Sequence, residues 1–178
     1  MNPILIIEKY YKKTTDLYRL IVGHSNLVAQ KAMDICNTHT ELNADLLFVQ
    51  QAAMLHDIGI LLCNAPSIFC YGKHNYIEHG YLGGQILRKE GLIRHALVAE
   101  RHTGTGIPLE EIIKKDLPLP HRNFCPLSIE EKIICYADKF FSKSNPEKEF
   151  SIDEIRNNLS KFSQKNVDIF NLWNEMFT

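Results

Sequence analysis

The sequence predicts an all-α fold, a single compact helical bundle. Three observations predict it. Apolar residues recur at helical spacing along most of the chain, no run alternates convincingly with period two, and capping signatures stand before several apolar runs.

The elements follow in order. Asn2-Pro3 reads as a cap with proline in the first helical turn, and Ile4, Ile7, Tyr11 and Tyr18 continue as a stripe. From His24 onward, Leu27, Val28, Ala32 and Ile35 keep the spacing of one helix face. Residues 44–56 are apolar nearly all round, as a central buried helix should be. Two more helices are predicted over 79–90 and 92–102, separated by Gly91. Ser128 with Glu131, and Ser151 with Glu154, have capping-box spacing and open helices over about 129–142 and 152–163. A short last helix holds Ile169, Leu172, Trp173 and Phe177. Two long loops, 63–76 and 103–128, interrupt the pattern, the second with one helical turn around Glu110 to Lys115. Loops of that length in a compact domain are often lids or site walls. The stretch "KSNPEKE" (143–149) reads as a solvated charged turn without chemistry.

Composition narrows the function classes. With 178 residues the chain can bury a core as one domain, residues 1–178, the helices of 151–178 packing on that core. The formal charge of −1 argues against a nucleic-acid polymer as partner, while a local basic pocket for one phosphate stays compatible with it. Five cysteines without a C-x-x-C pair fit a reducing compartment. The first residues hold only four consecutive strong apolars, too few for a signal or a membrane span, so a cytoplasmic protein is expected. The apolar segment "VDIFNLWNEMF" has two expected occupants, the chain's own core or a second copy in a homodimer.

The chemistry sits in the histidines and acids. Eight histidines occur. His24 shares a helix face with Leu27 and Val28, His79 with Leu82 and Ile86, and His102 with Val98 and Ala99. Asp138 lies four residues after Ile134 and three before Phe141, so its carboxylate points toward the core, where an unpaired charge is costly. A cation would compensate it, and so would an arginine. In "QQAAMLHDIGILL", His56 and Asp57 end the buried helix. Neighbours on a helix diverge by about 100 degrees, so the two reach different sides of one metal, or Asp57 bridges two, and Gly59 lets the chain turn away. Mixed imidazole and carboxylate ligation suits iron, manganese or zinc, and a pair favours iron or manganese, with nickel and magnesium as further alternatives.

The order His24, His56-Asp57, Asp138, with "HDIG" at 56–59, resembles the HD-domain superfamily of metal-dependent phosphohydrolases, over about residues 20–142. "EHGYLGGQIL", "ERHTGTGI" and "LSIEEKIICYADKF" resemble a small HDIG-type subfamily, and His79 and His102 match the extra histidines of its two-metal relatives. The resemblance implies a helical core, a metal set of His24, His56, Asp57, His79, His102 and Asp138, and hydrolysis of phosphoester or phosphoanhydride bonds in a small phosphorylated molecule or nucleotide. Metals would polarise the phosphoryl oxygens and activate a water held with the help of Asp57. Cationic neighbours would take up the charge on phosphorus, with Arg101, Lys73, Arg122 and Lys139 as candidates, Lys139 pointing away on helical geometry. His74 is a candidate acid for the leaving group. One departure stands out: many such hydrolases carry lysine directly after HDIG, where this chain has Ile60. The same ligand set also resembles the HD-type mixed-valent di-iron oxygenases that cleave C–C or C–P bonds. A third class is a non-enzymatic, nucleotide-sensing HD module.

Overall fold

A computed structural model describes residues 1–178, the side chains at 146 and 147 excepted. The helices are α1 (Pro3–Tyr10), α2 (Asp16–Thr38), α3 (Leu46–Leu55), α4 (His79–Lys89), α5 (Ile93–Arg101), α6 (Leu109–Lys114), α7 (Ile129–Asp138), α8 (Ile152–Ser160) and α9 (Gln164–Phe177). Two short antiparallel ribbons join them: β1 (Asn64–Ala65) with β2 (Cys70–Tyr71), and β3 (Phe141–Ser142) with β4 (Asn145–Glu149). The chain is an all-α single domain, and among the described residues no helix is long and apolar enough to cross a membrane.

α3 is the central element. Phe48, Val49, Ala52, Ala53, Met54 and Leu55 are all buried, because α1, α2, α5 and α7 pack around it. An Asp45 carboxylate accepts from the Phe48 amide and starts it. α2 buries one stripe, Ile21, His24, Ser25, Val28, Ala29, Ala32, Ile35 and Cys36. α4 and α5 form a tight hairpin. Its turn places Gly91 at φ +76°, with the Leu92 amide donating to Leu87 O and the Gly91 amide to Arg88 O, the paired bonds of a left-handed helix end. Behind it, α8 and α9 close the core. Phe170 stacks on Tyr136 at 5.2 Å, the Tyr136 hydroxyl donates to Asn174 Oδ1 at 2.9 Å, and Trp173 and Phe177 are buried beside them.

Four expectations need correction. α7 ends at Asp138 rather than near 142, because the chain then enters the β3–β4 ribbon, and the two ribbons are the strands that periodicity missed. Both are too short to carry a period-2 signal. Ser128 caps α7, but Glu131 does not return the bond: its carboxylate accepts from the Leu127 amide and from Arg101 instead. Ser151 and Glu154 do form both halves of a capping box. The glycine of HDIG has a different reason from a turn: Gly59 has ordinary right-handed angles (φ −82°, ψ −9°). A Cβ there would lie 2.1 Å from His79 O and 2.4 Å from Gly83 N, so it is the close approach of α4 that excludes a side chain.

That contact predicts opposite effects at two glycines. Gly59→Ala should destabilise the fold by about 2–3 kcal/mol, since the obstacle is backbone, whereas Gly23→Ala, with open space around its Cβ inside α2, should stabilise it by about 1 kcal/mol. Denaturant unfolding of both variants measures this.

Candidate metal centre

The centre is made where helix ends converge. His56 and His102 are the C-terminal caps of α3 and α5, Asp138 is the last residue of α7, and His79 opens α4. His24 comes from the middle of α2. Asp57 follows His56 and is completely buried among them.

The local backbone fixes how three imidazoles face. Nδ1 of His56 lies 2.6 Å from Ala53 O, Nδ1 of His79 2.6 Å from Tyr76 O, and Nδ1 of His102 2.7 Å from Ala99 O, each the carbonyl three residues earlier. A carbonyl only accepts, so each Nδ1 carries the proton and each Nε2 presents a lone pair in its neutral form. Those Nε2 atoms point inward. His24 and His56 face Asp57 Oδ2 at 3.2 and 3.1 Å. His102 and His79 face the other oxygen, Oδ1, at 3.2 and 3.5 Å. Asp138 Oδ1 lies 3.0 Å from His24 Nε2 and 3.4 Å from His56 Nε2. One carboxylate is therefore shared between two donor groups, His24–His56–Asp57–Asp138 and Asp57–His79–His102.

The donor set fits transition-metal cations. His79 Nε2 and His102 Nε2 stand 3.0 Å apart, so two neutral rings oppose their lone pairs. Neither Asp57 oxygen nor His56 Nε2 has a well-directed hydrogen bond among the described residues, although all are buried. Buried polar atoms are nearly always satisfied, and a cation between these atoms satisfies them together. Burial lowers the pKa of His56, but Asp57 and Asp138 outweigh it and lift it to about 9. Burial, then the neighbouring His102, pushes His79 down to about 3. Burial raises the Asp57 and Asp138 carboxyls, yet the charges around them win and hold both well below the usual range. The pull that retains a proton on His56 is the pull a metal ion would feel.

A cavity of about 920 Å³ opens onto the cluster at His79 and Asp138. Both long loops contribute walls, through Ala65 and Ile68 and through Thr103, Ile107 and Leu117, and Phe150, Leu159 and Phe162 complete the apolar side.

The six residues expected as ligands thus come together. The expected substrate contacts largely do not. Arg101 Nη1 lies 3.0 Å from both oxygens of Glu131, and Arg122 pairs with buried Glu100 at 2.9 Å while stacking on Phe124. Each guanidinium is held by a buried acid and lines no part of the cavity. Lys73 and His74 are exposed, His74 beside Glu78. Lys139, which helical geometry aims away, does line the cavity: the helix has ended, and its Nζ donates to Asp138 Oδ2 at 2.7 Å and His102 O at 3.2 Å. The residue that sequence reasoning missed is Lys143, inside the stretch read as a solvated turn, two of whose side chains (146 and 147) lie outside the described residues. Its side chain is only 12% exposed and its Nζ lies 2.6 Å from Asp57 Oδ2. A lysine within a run of charges carries no sign of burial. Only the ribbon that turns it inward does.

The family-model comparison agrees with this geometry. The HD domain model matches residues 21–142. The chain belongs to the HD-domain family. Among similar proteins, an uncharacterized protein of Methanocaldococcus jannaschii is 34% identical over 82% of this chain and 79% of its own length. The tRNA (cytidine(56)-2'-O)-methyltransferases of Picrophilus torridus and Thermoplasma volcanium are 33% and 32% identical over 83% and 79% of this chain. Those matches span only 37% and 36% of the methyltransferases. The HD domain of the L. monocytogenes phosphodiesterase PgpH shares the fold, with a TM-score of 0.52 and 17% identity over 90% of this chain and 94% of that one. Its complex with cyclic-di-AMP gives a TM-score of 0.51 at 16% identity over 85% and 87%.

The shared carboxylate makes a stoichiometric prediction for this HD domain. Asp57→Ala should abolish bound transition metal, whereas His102→Ala should leave the His24–His56–Asp138 group about half of it. Metal analysis after anaerobic purification reads both.

Proposed function

We propose that the chain is a metal-dependent phosphohydrolase acting on a small phosphoester or nucleotide. The observation that carries this is the divided carboxylate: Asp57 turns one oxygen to His24 and His56 and the other to His79 and His102, beneath a cavity that reaches the cluster at His79 and Asp138 and is also lined by Lys139 and Lys143.

His24, His56, Asp57 and Asp138 would hold one cation and His79, His102 and Asp57 a second, with iron or manganese favoured by the mixed donors. Bound there, such metals supply Lewis acidity and a nucleophilic water at neutral pH. The chain's own groups do the rest. The Ala53, Tyr76 and Ala99 carbonyls hold the imidazoles in the tautomer that offers Nε2. Tyr76 stacks on the His79 ring at 4.6 Å and fixes its plane. Lys139, tethered to Asp138, places a cation beside the point where a phosphoryl group would enter. Ile68, Ile107, Leu117, Phe150 and Phe162 give an apolar wall suited to the non-phosphate part of the substrate, within the volume of small-molecule sites. A formal charge of −1 supports a small ligand over a polymer. The tRNA-modifying name of two relatives belongs to proteins of which this chain spans about a third, and no tRNA substrate is carried over.

The test is a screen of phosphomonoesters, phosphodiesters and nucleotides with anaerobically prepared, manganese-loaded protein. Hydrolysis should proceed without oxygen and should fall about a hundred- to a thousandfold in Asp57→Ala, the scale on which one key electrostatic element acts. Turnover that needs iron and dioxygen would instead identify a C–C or C–P bond-cleaving oxygenase. Binding of nucleotides without turnover under either condition would identify a sensing module.

A further inference from the structure

Lys143 is the group whose position the proposed reaction does not yet use. It lies in the turn between β3 and β4, where most lysines extend into water. Here the stem folds inward, and its Nζ contacts Asp57 Oδ2 at 2.6 Å, with the Tyr76 hydroxyl and the charges of Asp138 and Lys139 also near it. Oδ2 is the same oxygen that faces His24 and His56. A cation held by those two histidines and the ammonium of Lys143 therefore compete for one carboxylate oxygen. Two positive charges at that separation in a buried site repel strongly. That repulsion would drive Lys143 back along the cavity that it lines with Ser142, Ser144 and Lys139. There the nearest carboxylate is Asp138, which Lys139 already holds, so two ammonium groups share one buried acid and an arriving anion is favoured.

We propose that Lys143 is an exchange cation: it neutralises Asp57 before metal binding, and in the metal-loaded protein it binds the phosphoryl group of the substrate. The phosphoryl part of this inference rests on the proposed phosphohydrolase reading. It also accounts for the isoleucine after HDIG. Ile60 is fully buried in the core, so position 60 reaches no phosphate. Lys143 supplies the ammonium from the turn of the β3–β4 ribbon instead. Lysine suits the task better than arginine, since a compact ammonium on a flexible stem can switch between two anions.

Calorimetric titration of the full, metal-stripped chain with manganese, then of the loaded chain with inorganic phosphate, tests the exchange. Lys143→Met should bind manganese about tenfold more tightly than wild type, because the competitor is gone, and its loaded form should bind phosphate about tenfold more weakly, within the usual range of coupling between sites. Lys143→Arg should return both affinities toward wild type. Lys143→Gln serves as a second neutral variant should the methionine variant fail to fold, with circular dichroism as the check. Unchanged affinities in the neutral variants would overturn the exchange. So would a joint loss of manganese and phosphate binding, which would make Lys143 a mere support of the site, and so would a wild-type chain that takes up no manganese. Because no step requires turnover, a chain that binds both ligands but hydrolyses nothing would refute the proposed reaction and leave the exchange standing.

Discussion

A carboxylate sealed from water at the meeting point of five helices is the constraint on which the rest depends. Asp57 has no exposed atom, and the effective cost of burying an unpaired carboxylate is several kcal/mol. The fold answers unevenly: His56, which holds its proton, and Lys143 stand against one oxygen with His24, while the neutral imidazoles of His79 and His102 turn lone pairs toward the other, where a cation would complete the compensation. All of these groups converge on one carboxylate, so the cluster is a single electrostatic unit. Its parts come from helices far apart in sequence. The tertiary structure and the chemistry therefore impose the same condition, that α2, α3, α4, α5 and α7 meet with their register fixed.

The helix ends contribute directly. α3, α5 and α7 all finish at the cluster, bringing the partial negative charge of three carboxyl termini toward one volume. The terminal carbonyls would lack partners there. Ala53 O and Ala99 O, in the last turns of α3 and α5, find them in the Nδ1 protons of His56 and His102. One bond thus satisfies a helix terminus, selects an imidazole tautomer and aims an Nε2 lone pair. A site gathered from helix C-termini favours cations by its dipoles as well as by its side chains. Gly59 permits the final approach, since a methyl group there would force α4, and with it His79, away from Asp57.

How much of this was legible in the sequence follows from which contacts are local. His24, His79 and Asp138 sit on helical stripes with neighbouring apolar residues, so their inward direction could be read from spacing alone. The helices were legible for the same reason, and Ser151 with Glu154 is a local cap. Failures occurred where a partner distant in sequence decides. Glu131 claims Arg101 and also abandons the cap expected with Ser128. Glu100, buried between α4 and the second loop, claims Arg122 and pairs with Arg88. Lys143 turns inward because β3 and β4 pair with an irregularity between Phe141 and Ser142, a register that no periodicity in a charged turn announces.

The cavity divides by origin. Its reactive floor, His79, Asp138 and the cluster beneath, belongs to the segment 21–142 that matches the family. Much of its apolar wall comes from elsewhere: Phe150, Leu159 and Phe162 lie beyond that segment, and Ile68, Ile107 and Leu117 stand on the two long loops within it. Loops and appended helices accept substitutions that a shared carboxylate and its four imidazoles cannot. On the proposed reading, bond chemistry would depend on the floor and selection on the wall. The apolar C-terminal segment has a role in this arrangement: by burying Phe170, Trp173 and Phe177 against Tyr136, it anchors the neighbouring α8, whose Leu159 reaches the cavity. Packing far from the histidine–aspartate cluster thus shapes the cavity that opens onto it.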